Sequence, residues 1–321
     1  MGIALETDLG RRIDAALAVA MLNGFASKGE ARSIAVAISR TSIPTAQLAD
    51  VILGFYNPRP IGSSAMVGMP DGSAPTPAAG DDAPAVAATL AKKNPEGAPL
   101  YTSNIKRVLD TADDAVLIRN QLLAQMDGNA TIVVAGPLTG IARLLDLFGA
   151  RPQIAAKVKQ LVVAVGAFPA GAADAAVKAD VAAAKHVFAD WPTPIVAVGS
   201  EVGDGLPFPG ASIDKDFAWS PAHPVADLYR AFKPMPYDAP APALAAVLYA
   251  VHPGDGYFTL SEPGTIAVDA DGRTRFAAAA DGKHRYLIVD PGQKERVMTL
   301  YTSMVSAAPA PRPGRGRGGN E

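Results

Sequence analysis

Carboxylates, hydroxyls and guanidinium groups collect in five short clusters, each directly after an apolar run. Glu6-Thr7-Asp8, with Asp14 close behind, follows residues 3–5, and Ser39-Arg40-Thr41 follows 34–38. Gly136-Pro137-Leu138-Thr139 follows 131–135, Gly166-Ala167-Phe168 follows 161–165, and Gly199-Ser200-Glu201 follows 195–198. Glu6, Asp8 and Asp14 could jointly hold a hard cation through oxygen ligands, or one of them could act as a general base. The same acids could equally cap a helix and form a surface salt bridge, and the residues by themselves leave both readings open. The four histidines, His186, His223, His252 and His284, have no metal-ligand spacing such as H-x-x-x-H and read as structural or solvated side chains.

The apolar runs before these clusters are short and apolar on both faces, as strands covered by helices on each side must be. Between them, Ala115, Ile118, Leu122 and Met126 recur at helical spacing, as do Ile141, Leu144, Leu145 and Phe148. Alternating strands and helices predict a single α/β domain with a central, mostly parallel sheet flanked by helices. Ligands of such sheets bind outside the carboxyl ends of the strands, where Asp8, Ser39, Thr139 and Glu201 would lie. Late strands are expected at 257–260, 265–268, 274–276 and 286–289, with Asp269-Ala270-Asp271-Gly272 as a hairpin turn. The domain is expected to span 1–306. Within it, residues 66–99, rich in Gly, Pro, Ala and Asp, read as an irregular surface excursion. The Pro/Gly/Arg tail at 307–321 reads as disordered.

Composition narrows the class. The 29 basic and 31 acidic residues nearly balance, which argues against a nucleic-acid-binding core. A hydrophobic content of 49% is enough for a large core, yet no apolar run reaches the ~18 residues of a membrane span. The chain has no cysteine, which excludes a disulfide framework, a thiolate metal site and a thiol nucleophile. Nothing at the start has the pattern of a signal peptide. The expected setting is the cytoplasm, the expected partner a small molecule rather than a membrane or nucleic acid, and assembly as a homo-oligomer is left open.

Glu6-Thr7-Asp8-Leu9-Gly10-Arg11-Arg12-Ile13-Asp14-Ala15-Ala16-Leu17-Ala18 resembles the D-T-D-x-G-x-D-x-D-D-A-L-A opening of bacterial inosine/uridine-preferring nucleoside hydrolases. Residues 131–142 are similar to their T-x-V-x-x-G-P-L-T-N-x-A segment. Residues 177–185 and 191–196 are similar to the stretch after their E-x-N ribose-binding element, and 246–251 to a late helix. The resemblance runs from the first strand to about Val297. It implies the nucleoside hydrolase fold and hydrolysis of the N-glycosidic bond of a nucleoside or related ribosyl compound. It also implies a Ca²⁺ ion that holds the ribose hydroxyls and an attacking water. Carried over, Asp8 and Asp14 match metal ligands, Asp14 also matches the group serving the water, and the Thr139 carbonyl matches a backbone ligand. Ser39, Arg40, Asp174 and Glu201 are then candidates for substrate binding.

Departures from the family pattern fall on the same constellation. Ala15 stands for the second Asp of the D-D pair, Ala243 for a late metal-binding Asp, and Pro242 for a residue that assists the leaving base. Gly140 stands for Asn, Asp174 and Ala176 for the E-x-N pair, and Glu6 for the opening Asp, while Arg11 and Arg12 replace neutral or acidic residues. Calcium takes six to eight oxygens, several from carboxylates. Two lost carboxylates and a nearby guanidinium predict a depleted calcium and ribose site. Arg11 or Arg12 is expected beside Asp8 or Asp14, as a substitute for the metal. Three readings follow: a nucleoside hydrolase of weak or no activity, a non-catalytic nucleoside-binding or scaffold protein, and a binder of phosphorylated ligands through Arg11 and Arg12.

Overall fold

Strand β1 (Gly2–Thr7) is buried along its whole length, so alternate side chains enter two different cores. Ile3 and Leu5 join one and Ala4 the other. The same period of two sorts β4 (Ala130–Ala135), where Val133 and Ala135 face the first core and Ile132 and Val134 the second. The structure, a computed structural model, describes residues 1–57, 66–72 and 84–309.

Between β1 and β4 in the chain come β2 (Arg32–Ile38) and β3 (Val67–Gly68); β5 (Val158–Val163) and β6 (Ile195–Ala197) follow. These six strands pair in parallel in the order β3-β2-β1-β4-β5-β6. That order reverses direction between β1 and β4, and in open α/β sheets such a switch opens a crevice at the carboxyl ends. Strands β7 (Thr259–Leu260), β8 (Gly264–Val268), β9 (Thr274–Ala278) and β10 (His284–Ile288) extend the sheet. The expected 269–272 turn does join β8 to β9 as an antiparallel hairpin, with Gly272 at φ 85°. Strand β10, however, lies between the hairpin and β6, parallel to β6 and antiparallel to β8 and β7.

Helices cover both faces. On the first core lie α1 (Ile13–Ser27), α2 (Ile43–Tyr56) and α3 (Pro84–Leu90). The second is covered by α4 (Asp114–Leu123), α5 (Thr139–Asp146), α6 (Ala150–Lys157), α7 (Ala175–Ala179) and α8 (Val181–Asp190). The chain then returns to the first face through α9 (Ser200–Gly205), α10 (Ala211–Lys215), α11 (Pro224–Phe232), α12 (Pro242–Val251) and α13 (Lys294–Val305). Helix α1 is buried from Ile13 to Phe25, its alanines admitting α12 and α13 on top of it. Gly24 marks the closest approach: a Cβ there would sit 2.1 Å from the Met304 carbonyl oxygen.

Three expectations change. The 66–99 stretch is not irregular throughout: Val67–Gly68 extend the sheet, and Pro84–Leu90 form a helix that buries Ala85, Val86 and Thr89. Helix α4 ends before Met126, and α5 before Phe148, where Gly149 turns at φ 74°. Both hydrophobic side chains are exposed. Residues 73–83 and 310–321, to which much of the excursion and tail belong, lie outside the described residues. Among the described residues, no helix is long and apolar enough to cross a membrane.

Candidate active site

At the carboxyl edge, the Asp8 amide donates to the Ala135 carbonyl and the Ser39 amide to the Thr7 carbonyl, which locks three strand ends together. Gly136 permits the approach, since a Cβ there would fall 2.8 Å from Ser39 Oγ and 3.0 Å from Asp8 Cβ. Arg40 faces Asp8 with its fork: Nε donates to Oδ1 at 2.7 Å and Nη2 to Oδ2 at 3.2 Å. Both side chains are largely buried, so the pair is a charge-assisted, bidentate contact shielded from salt.

A second pair lies one turn along the chain. Arg12 is extended, φ −130°, immediately before α1. Its guanidinium folds forward onto Asp14, with Nε donating to Oδ1 at 3.0 Å and Nη2 to Oδ2 at 2.8 Å. Asp14 Oδ2 also accepts the Ala243 amide at 3.0 Å. That bond caps α12, whose N-cap residue Ala241 has no side-chain acceptor and whose first residue, Pro242, has no N–H. Burial works against the charged Arg12, but Asp14, Asp174 and Asp8 outweigh it and hold its pKa above the ordinary value. The expected juxtaposition is thus present for Arg12 and Asp14. Arg11 is exposed and has no carboxylate partner among the described residues, and the cation on Asp8 is Arg40.

Above the two pairs opens a cleft of about 570 Å³, walled by Asp8, Arg11, Arg12, Arg40, Asp174 and the alanines of α7. Arg12 and Asp174 also wall an adjoining chamber of about 90 Å³, which reaches Val198, Ser200, Asp204 and Pro242. Asp14 lines neither space; Arg12 stands in front of it. Asp174 is the N-cap of α7, its Oδ1 accepting the amides of Ala176 and Val177 at 2.9 and 3.0 Å.

The other candidates lie at the same sheet edge but away from the cleft wall. Ser39 is buried with no hydrogen-bond partner for its hydroxyl among the described residues. Thr139 opens α5 and donates its hydroxyl to Asp180 at 2.8 Å. Glu201 folds back across Gly199 and accepts the Phe168 amide at 3.2 Å. Asp8, Asp174, Arg11, Arg12 and Arg40 therefore converge on the cleft; Ser39, Thr139 and Glu201 do not.

Glu6 does not join Asp8 and Asp14 as a third ligand. It shares the strand face of Ala4, which turns it toward Asp114 at the start of α4 and Gly140 in α5. A Cβ on Gly140 would lie 2.6 Å from Glu6 Oε1 and 2.6 Å from Asp114 Oδ2, so the two acids fill the space that a side chain at 140 would need. Arg143 donates to Asp114 Oδ1 at 2.6 Å and to Asp113, yet Asp114 Oδ2 has no donor among the described residues, and Glu6 has only the Gly140 amide close by, too poorly placed for a regular hydrogen bond. Burial first, and then Asp114, push the Glu6 carboxyl well above its ordinary range. Burial pushes Asp114 up to about 6 despite Arg143. A proton on Glu6 would supply the donor that Asp114 Oδ2 lacks. In sequence, Asp113-Asp114 carries only the signal of a helix start, and this pairing could not be read from it.

Asp8 and Asp14 together present four carboxylate oxygens. The four oxygens already accept guanidinium or amide hydrogens, no third acidic or imidazole side chain among the described residues completes a metal group, and two guanidinium charges repel a dication.

The family model described as "Inosine-uridine preferring nucleoside hydrolase" matches residues 3–302. Among solved structures, an inosine-uridine preferring nucleoside hydrolase from Bacillus anthracis superposes with a TM-score of 0.69 at 16% identity, over 96% of this chain and 99% of that one. A purine-preferring ribonucleoside hydrolase from Gardnerella vaginalis gives 0.67 at 17% identity, over 95% and 98%. The effector protein XOO4466 gives 0.64 at 14% identity, over 96% and 94%. No curated protein matches the chain.

Proposed function

This chain belongs to the inosine-uridine preferring nucleoside hydrolase family, and from that premise we propose that its cleft binds a nucleoside or related ribosyl compound while N-glycoside hydrolysis is very slow or absent. The observation that carries the reading is the position of Arg12, which stands between Asp14 and the cleft and engages both carboxylate oxygens. Glycoside hydrolysis needs a carboxylate within reach of the attacking water, to take its proton as positive oxocarbenium-like charge develops on the sugar. Asp14 is withheld from that water by Arg12, and Asp8 is held by Arg40. Asp174, on the cleft wall, is the acid placed to accept hydroxyl hydrogens from a ribose. The cytoplasm is the proposed setting, on the compositional argument above.

Titration of the full chain with calcium, together with inosine and uridine hydrolysis with and without a chelator, tests this. The expected outcome is no micromolar calcium binding and only slow cleavage that a chelator leaves unchanged. Micromolar binding with chelator-sensitive cleavage would overturn the reading and make the chain an ordinary nucleoside hydrolase.

A further inference from the structure

We propose that the cleft is built for a ribosyl compound carrying a phosphate, the class of a nucleoside 5′-monophosphate. The proposal rests on the reading above that the ligand is a ribosyl compound, and adds the charge that ligand carries. A cleft of about 570 Å³ is of ordinary size for a small-molecule site. Its wall holds three guanidinium groups, from Arg11, Arg12 and Arg40, and two carboxylates, Asp8 and Asp174, with Asp14 behind Arg12 as a third. Arg40 is matched by Asp8. Arg12 is matched by Asp14, which lies behind the wall, but only through Nε and Nη2. Its Nη1 has no partner among the described residues and belongs to a guanidinium whose orientation the Asp14 fork already fixes. Arg11 is exposed, with no carboxylate partner among the described residues.

These donors are of the kind that recognise a phosphate, since a guanidinium stays protonated and presents parallel N–H groups to its oxygens. Asp174 supplies the opposite chemistry on the same wall. Its Oδ1 accepts two amides of α7, and Oδ2 accepts no hydrogen bond among the described residues. A free carboxylate oxygen accepts hydroxyl hydrogens and repels phosphate, which directs a ribose diol to Asp174 and the anion to Arg11 and Arg12. An uncharged nucleoside would leave Arg11 and the Nη1 of Arg12 to water alone, whereas a phosphate offers both a charged acceptor.

Isothermal titration of the full chain with inosine, inosine 5′-monophosphate, the uridine pair and inorganic phosphate tests the proposal. At low ionic strength each monophosphate should bind about tenfold or more tightly than its nucleoside. Added salt should reduce that ratio. Arg11→Ala should bring the ratio down to about threefold or less, and Arg11→Lys should keep part of it. Arg11 is exposed, and thermal melts of both variants separate lost binding from lost folding. Equal or tighter binding of the nucleoside overturns the phosphate inference and leaves the ribosyl reading standing. Binding of inorganic phosphate as tight as that of the monophosphates makes the site a simple anion site and overturns the inference. Binding of none of these probes overturns both. A ratio unmoved by Arg11→Ala overturns the role given to Arg11.

Discussion

Glu6 shows how one residue type can hold a different meaning in the chain and in the fold. Beside Asp8 and Asp14 in the sequence it reads as a third oxygen ligand, but the period of a strand turns it onto the face that meets Asp114 and Gly140. There it acts as a buried acid, and the pH dependence of stability should report it. A carboxyl whose folded pKa is raised contributes stability that is complete below its unfolded value and is lost as pH rises through the folded one. For Glu6 the loss begins near its ordinary value of 4.5 and extends upward, and Asp114, at about 6, adds to it in the same direction. Glu6→Gln retains a donor for Asp114 without a titrating proton. Its melting temperature should therefore fall less between mildly acidic and mildly alkaline pH than that of the parent, by about 3 °C or more. Parallel slopes in thermal melts would refute a shared proton. The pairing of Arg12 with Asp14 was legible because the two are neighbours in sequence. Arg40 with Asp8 and Glu6 with Asp114 were not, because only the registry of the sheet brings those residues together.

At the scale of elements, Asp14 belongs to two helices: it lies in the first turn of α1 and caps the first turn of α12. An acid there also suits the positive end of both helices. Asp14→Ala removes the cap and leaves the Arg12 guanidinium without its partner, and should cost ~3 kcal/mol in chemical denaturation. Asp14→Asn keeps an acceptor for the Ala243 amide and should lose clearly less. Equal losses would show that the charge, and not the cap, is what stabilises α12. The strands β1, β2, β4, β5 and β6 could be read from the sequence because a strand buried on both faces must be a short, continuous apolar run. Helix α3 could not, since Ala85, Val86 and Thr89 acquire their buried face only by docking among neighbours such as α11. The parallel seat of β10 beside β6 was equally hidden, because the alternation along a strand does not name its partner.

Across the whole molecule, the same scaffold can present a metal site or a pair of ion pairs at the reversal point of its sheet. Ala243 donates its amide to Asp14, so an aspartate there would add a carboxylate beside one already present. Ala243→Asp alone should destabilise the chain and bind calcium weakly, because Arg12 still holds Asp14. Combined with Ala15→Asp, Arg11→Asn and Arg12→Asp, it should raise calcium affinity by more than either new aspartate on its own, as isothermal titration would show. If Ala243→Asp alone raised it as much, Arg12 would not be what keeps the cation out. The mainly parallel sheet and the clusters at its carboxyl edge were legible as a class of fold, whereas the strand order and β3 were not. The partition of those clusters into cleft wall and supporting contacts was not, because it depends on side-chain directions set by helices far along the chain.

The bond from the Ala243 amide to Asp14 spans 229 residues of sequence. During synthesis, the first strand and helix leave the ribosome long before α12 exists, and domains are made from the N-terminus onward. Until then the apolar surface of α1 that α12 and α13 cover stays open, and Asp14 has only Arg12 to hold it. Closing so long a loop is slow relative to local contacts. The cleft wall, whose residues end at Ala179, is therefore made well before the amide that completes the hydrogen bonding of the acid behind it, and until then the Arg12 fork is the contact that acid has.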